Sequence, residues 1–195
     1  LDQWKINKSD FKILLPGRLT RWKGQELFIE ALSMLVEVHS KNNFHAIILG
    51  SDQGRNVYSK KLLLLVERYR LAKKITFIEN CKEMPIAYKL SDIVVSSSIE
   101  PEAFGRVAVE AQAMEKLIIA SNIGGSKETV LNGKSGLLYN FNDSKDLAKA
   151  INKAMEMSKN TLDLMGAEGR KNVEKKFNVD QMCQTTFTEY MKLLK

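Results

Sequence analysis

Short apolar runs that alternate with helical patterning constrain this chain more than any other feature. Ile13-Leu14-Leu15, Ala46-Ile47-Ile48-Leu49, Ile93-Val94-Val95 and Leu117-Ile118-Ile119-Ala120 carry no polar interruption. A strand that is apolar at every position is covered on both faces, which is the situation inside a parallel sheet. Between the runs, apolar residues recur at helical spacing: from Gln25 to Val38, for example, Leu27, Phe28, Ala31, Leu32 and Leu35 share one face. Further strands are expected at Lys74 to Ile78 and Gly136 to Tyr139. Helices are expected at about Val57 to Tyr69, Ile86 to Leu90, Gly105 to Met114 and Lys127 to Leu131. After the last strand the pattern is helical throughout, at about Lys145 to Ser158, Leu162 to Lys176 and Asp180 to Leu194. Strands each followed by a helix give an α/β fold with a doubly wound parallel sheet.

The 195 residues suit one domain with a sizeable core. The longest apolar run, Leu62-Leu63-Leu64-Leu65-Val66, falls far short of the roughly 20 residues of a membrane-spanning helix. The start, L-D-Q-W-K-I-N-K-S-D, has neither an initiating Met nor a signal-like apolar core, and reads as a cut made within a longer chain. Cys81 and Cys183 have no metal-binding spacing and are too few for a disulfide framework; they suit a reducing cytosol and are expected to be packing residues. The formal charge of +7 and pI near 9.3 imply attraction to something anionic, such as a nucleotide, a phospholipid surface or a nucleic acid. Free use of Lys on solvated helix faces, as in K-N-V-E-K-K-F (171 to 177), explains the charge equally well.

Open α/β sheets bind ligands beyond the carboxyl ends of their strands, where the strand order reverses; for the order 3-2-1-4-5-6 this lies between strands 1 and 4. The two least ordinary loops follow those strands: P-G-R-L-T-R-W-K-G (16 to 24), and E-P-E-A-F-G-R-V-A-V-E (100 to 110). Gly105 just before a helix lets backbone approach a ligand, and the free N–H groups of the first helical turn attract an anion. Arg18 can grip a phosphate bidentately and Lys23 adds a mobile point charge, so the set suits a diphosphate. Glu110, about one and a half turns into the helix, can accept from both hydroxyls of a ribose, while Glu102 suits the hydroxyls of a second sugar. A plainer account gives Glu110 to Arg106 as an i,i+4 pair and leaves Glu102 a solvated loop acid.

Taken together, the motifs resemble the retaining glycosyltransferases of family 4, which have the GT-B fold of two Rossmann-like domains facing a cleft. Gly17, Arg18, Lys23 and Gly24 match the pattern G-R-L-x(3)-K-G. Glu102, Phe104, Gly105, Glu110 and Ala111 match the E-x(7)-E signature, Gly124, Gly125 and Glu128 match G-G-x-x-E, and Asn132, Gly133, Gly136 and Leu138 match the segment that follows. The likeness runs from about Ile13 to the end. It implies a nucleotide-sugar domain, with Arg18, Lys23 and Glu102 as catalytic residues and Gly17, Phe104, Gly105, Arg106 and Glu110 as donor-binding ones. The donor would be UDP- or GDP-linked, with no other cofactor. No D-x-D occurs, in keeping with the family's metal-independent chemistry. The resemblance also implies a separate amino-terminal domain carrying the acceptor site, reached by the final helix (about 178 to 195); this chain alone would bind a donor and transfer nothing.

One departure concerns the helix that carries Glu110. In the family it ends at a glycine followed two residues later by proline; here Glu115 and Leu117 stand in those places, and a non-glycine in a left-handed cap costs roughly 1 kcal/mol. Gly124-Gly125 is read as a tight turn in preference to a second anion seat, and His39 and His45 as ordinary surface or edge residues. The loop Gly50-Ser51-Asp52-Gln53-Gly54 can bring backbone near the phosphates, and Asn80 to Met84 can meet the base through main-chain groups. A dinucleotide-dependent oxidoreductase would need G-x-G-x-x-G in place of R-L-T-R-W-K. A non-catalytic nucleotide-sugar module stays open as the alternative. Nucleic-acid binding finds no motif or stacking surface. If the bulk charge serves a purpose, contact with an anionic membrane from the cytoplasmic side is the favoured one.

Overall fold

The computed structural model describes residue 4, residues 6–54 and residues 56–194. Its strands are β1 (Phe11–Pro16), β2 (Phe44–Leu49), β3 (Ile75–Ile78), β4 (Ile93–Ser96), β5 (Leu117–Ser121) and β6 (Gly136–Tyr139). Its helices are α1 (Gln25–Glu37), α2 (Asn56–Arg68), α3 (Met84–Leu90), α4 (Arg106–Ala113), α5 (Ser126–Thr129), α6 (Ser144–Glu156), α7 (Lys159–Lys176) and α8 (Val179–Leu193). The strands form one six-stranded parallel sheet in the order β3-β2-β1-β4-β5-β6. The order reverses between β1 and β4, which pair Ile13 with Ile93 and Leu14 with Val94.

Alternate residues of each strand feed opposite cores, as the two-residue period of a strand requires. Ile13, Leu15, Ile48, Val95 and Ile119 pack with Phe28 and Leu32 of α1 and Leu147 and Ile151 of α6. Leu14, Ile47, Val94 and Ile118 pack on the other face with Tyr88 of α3 and Ala108 and Ala111 of α4. The α/β, doubly wound reading is therefore correct, with element ends within a few residues of expectation. Pro85 lies in the first turn of α3, where its missing N–H costs nothing; the helix accordingly starts at Met84 and not Ile86. The pattern gave no sign of the 3-10 turn at Arg21–Lys23.

Two expectations need correction. His45, the second residue of β2, is 7 % exposed, with Nε2 2.8 Å from Thr76 Oγ1 on β3, so it lies near the start of its strand as expected but is not a surface residue. Burial holds its imidazole below the ordinary range. Cys81 packs against the second core, but Cys183 is exposed on α8 and lies outside both cores. None of the residues of α8 is buried, and no helix among the described residues is long and apolar enough to cross a membrane.

The helix that carries Glu110 is held from behind by α7. A Cβ on Gly166 would stand 2.1 Å from the Glu115 carbonyl oxygen, and one on Gly169 2.9 Å from Gln112, so only glycine permits this approach. Asn172 Nδ2 then donates to the Thr129 carbonyl at 3.1 Å beside Gln112, whose Nε2 donates to the same carbonyl at 2.9 Å. At the end of α4, Glu115 occupies the left-handed region with φ +56°. The Lys116 N–H bonds to the Ala111 carbonyl and the Glu115 N–H to that of Gln112, the paired bonds of a Schellman cap. Replacing Glu115 with Gly relieves that strain, about 1 kcal/mol, and is expected to raise the thermal midpoint by roughly 2–4 °C; an unchanged midpoint in calorimetry would count against the strain. Because the unfolded chain takes up a proton at His45 before the folded one does, acidification below about pH 6.5 should lower stability through this residue. His45→Gln should flatten that part of the pH profile in denaturant titrations.

Candidate nucleotide-sugar site

A crevice of about 510 Å³ opens at the β1/β4 reversal. Pro16, Gly17, Arg18 and Lys23 line it from the end of β1, Met84 and Tyr88 from α3, and Glu102 through Val107 together with Glu110 from the loop after β4 and from α4. All eight residues expected at the site from the sequence thus border one crevice. A smaller cleft of about 290 Å³ adjoins it, sharing Arg18, Lys23 and Glu102 and adding Trp22 and Ser98.

The two loops are fastened to each other before any ligand is considered. The 3-10 turn ends at Gly24 with φ +68°, and a Cβ there would stand 1.9 Å from the Ser97 carbonyl oxygen. Ser97 Oγ lies 2.9 Å from the Lys23 carbonyl and 3.0 Å from that of Gly24, and the Ile99 N–H donates to the Trp22 carbonyl at 2.8 Å. This contact sets where Lys23 leaves the backbone. Its stem crosses Gly17, where a Cβ would stand 3.6 Å from Lys23 Cδ. Arg18 is steadied over the Trp22 ring, 5.5 Å from the centroid, a cation–π arrangement. Arg21, by contrast, pairs with Glu100 at 2.8 Å in solvent and does not border the crevice.

Gly105 precedes α4 with φ +78°, and a Cβ there would meet nothing nearer than 3.8 Å. Glycine is therefore required by the backbone angle and not by crowding. No side chain caps α4, and of the N–H groups of its first turn that of Ala108 donates to the Gly105 carbonyl at 3.0 Å. Gly124 and Gly125 brace the loop from outside. Their Cβ positions would stand 2.6 Å from the carbonyl oxygens of Glu102 and Phe104 respectively, and the Gly125 N–H donates to the Glu102 carbonyl at 2.8 Å. The tight-turn reading of these glycines fits, and their bracing role went unseen in the sequence. Phe104 is 44 % exposed and meets Phe177 edge-on, with centroids 5.6 Å apart, at the junction of α7 and α8.

The charged groups face one another. Lys23 Nζ lies 2.8 Å from Glu102 Oε1, and Ser98 Oγ also donates to that oxygen. Arg106 donates to Glu110 Oε1 at 2.9 Å, so the i,i+4 pair allowed by the sequence does form, with the Arg106 side chain 83 % exposed. Tyr88 donates to Glu110 Oε2 at 2.8 Å. Ser97, Ser98 and Tyr88 were missed in the sequence, the serines because they carry no spacing and Tyr88 because it looks like one more core aromatic. Asp52 accepts from Ser59 and from the Gly54 N–H, bonds that hold its carboxyl below the usual range and close its own loop.

The model of the family described as glycosyl transferases group 1 matches residues 1–172. The chain belongs to that family. It is 30% identical over 187 residues to spore coat protein SA of Bacillus subtilis, a match covering 92% of this chain and 48% of the relative. A glycosyltransferase from Rickettsia africae superposes with a TM-score of 0.90 at 32% identity, over 100% of this chain and 50% of that one. Alr3699/HepE from Anabaena, solved in complex with UDP-glucose, superposes with a TM-score of 0.85 at 28% identity, over 94% and 49%. The chain thus spans about half the length of these relatives, and its fold is that of one half of a GT-B glycosyltransferase.

Gly24→Ala tests the fastening of the two loops. The new methyl would collide with the Ser97 carbonyl in a backbone region that alanine avoids, so the substitution is expected to lower stability by several kcal/mol. Gly54→Ala, where a Cβ has open space but a similar φ of +79°, should cost only about 1 kcal/mol. Equal losses in chemical denaturation would mean that the close approach is unimportant.

Proposed function

We propose that this domain binds the donor of a retaining, metal-independent glycosyltransferase, a sugar linked to UDP or GDP, for transfer of a hexose or related sugar to a glycan or lipid-linked acceptor. The observation that carries the reading is the meeting of Arg18, Lys23, the uncapped start of α4 and two carboxylates in one crevice. In this reading the diphosphate lies over Gly105 and the first turn of α4, where the helix dipole favours negative charge. Glu110 accepts from the ribose hydroxyls, and Glu102, at the wall shared with the smaller cleft, accepts from the transferred sugar. The UDP-glucose complex of Alr3699/HepE supports UDP as the first base to try.

When the glycosidic bond to the diphosphate breaks, negative charge grows on the leaving oxygen. Arg18 and Lys23 stand where they can oppose that charge, and each contact of this kind is worth about 10²–10³ in rate. Before a donor arrives, Lys23 is matched by Glu102. A diphosphate gives Lys23 a doubly charged partner in its place, leaving Glu102 to accept from sugar hydroxyls while Ser98 still holds it. Sugar transfer calls in addition for an acceptor site, which the proposal gives to a second domain; the exposed Val179, Met182, Phe187 and Tyr190 of α8 suit packing against one. The net positive charge suits work on acceptors at an anionic membrane surface facing the cytoplasm.

Calorimetric titration with UDP- and GDP-sugars tests the donor reading. One series should bind, and Lys23→Ala and Glu110→Ala should each weaken it by about 10-fold to 100-fold, the range for hydrogen bonds to charged groups. Affinity should be the same in EDTA as in Mg²⁺. Full affinity in either variant would remove that residue from the site, and dependence on Mg²⁺ would overturn the metal-independent assignment.

A further inference from the structure

The two oxygens of Glu110 are held by very different partners. Oε1 accepts from Arg106, which stands four residues earlier on the same helix with its side chain 83 % exposed. Water, salt and the freedom of a long side chain weaken such a pair. Oε2 accepts at 2.8 Å from the hydroxyl of Tyr88, which is 2 % exposed and comes from α3, a separate element. Burial pushes the Tyr88 phenol well above its usual range, and the hydrogen bond to Glu110 and the carboxylate charge push it further in the same direction. The hydroxyl therefore keeps its proton and donates it. An ionised carboxylate has about four lone-pair sites, so one bond on each oxygen still leaves both able to accept from a vicinal diol.

We infer that Tyr88 is a positioning residue for ribose recognition: its buried hydroxyl fixes the Glu110 carboxylate so that both oxygens can accept from the 2′ and 3′ hydroxyls of a nucleoside diphosphate. The inference rests on the reading of Glu110 as the ribose acid and adds to it the element that orients that acid. Without Tyr88, Glu110 would be left to an exposed guanidinium and to its own rotamers. The distinction between ribose and deoxyribose therefore depends on the hydroxyl that α3 sends to Glu110 as well as on the acid itself.

The test is calorimetry with UDP, 2′-deoxy-UDP and 3′-deoxy-UDP, or the guanine series if that is the base that binds, on the unsubstituted protein, Tyr88→Phe and Arg106→Ala. The unsubstituted protein should prefer the ribonucleotide by about 10-fold, as expected for a hydrogen bond to a charged group. Tyr88→Phe keeps the ring and should bring the ribonucleotide down to the affinity of the deoxy analogues, which should themselves change less than about 3-fold. A purely packing role would weaken all three nucleotides alike, so a preserved preference in Tyr88→Phe overturns the inference. Arg106→Ala changes a surface residue, and should retain the preference even where overall affinity falls. Loss of the preference there also overturns the inference, because the exposed guanidinium would then be the group that orients Glu110. Should the unsubstituted protein bind nucleotide with no ribose preference, the assignment of Glu110 fails first and takes this inference with it.

Discussion

The site depends on the contact between the backbones that leave β1 and β4. In a doubly wound sheet the connections on either side of the reversal turn away from each other, and a gap opens between them. In this chain the gap is narrowed at one point, where Gly24 lies against the Ser97 carbonyl and the Ser97 hydroxyl reaches the carbonyls of both Lys23 and Gly24. Beyond that point the loops diverge into the crevice. The position of Lys23 relative to Glu102 is thus fixed by main chain, and the ion pair between them is a consequence of that placement.

A cluster of like-signed groups waiting for a ligand would be costly to hold together. The crevice avoids this by pairing opposite charges: Lys23 with Glu102, Arg106 with Glu110, and Arg18 with the face of Trp22. None of these partners is deeply buried, so each can be exchanged for a ligand group without leaving a charge stranded in an apolar medium. The deep positions are instead neutral donors, the hydroxyls of Ser97, Ser98 and Tyr88, which need no counterion and can hold their acceptors whether the crevice is empty or full.

The sequence was most readable where a physical period exists. Unbroken apolar runs and helical faces determine which segments are strands, and the reversal between β1 and β4 then follows from the assumed order, which the sheet has. Charged and glycine residues at the ends of those strands were readable because nothing in a core calls for them. Residues acting singly left no trace. Ser97 and Ser98 look like any strand-end serines, Tyr88 is indistinguishable by pattern from a core aromatic, and the left-handed turn at Gly24 depends on a carbonyl 73 residues away in the chain. His45 misled for a related reason: its partner, Thr76, lies on the next strand, and no local signal announces the pairing.

The bracing of the loop by Gly124 and Gly125 has a consequence for how such a domain can change. Both glycines meet Glu102 and Phe104 through main-chain atoms alone. The main-chain path of this segment is therefore held at Glu102 and Phe104 by backbone atoms, separately from the bonds that the Glu102 carboxylate makes to Lys23 and Ser98. A substitution at position 102 would therefore act first on the charge and the hydrogen bonds exchanged across the crevice, with the turn ahead of α4 still held by its own backbone.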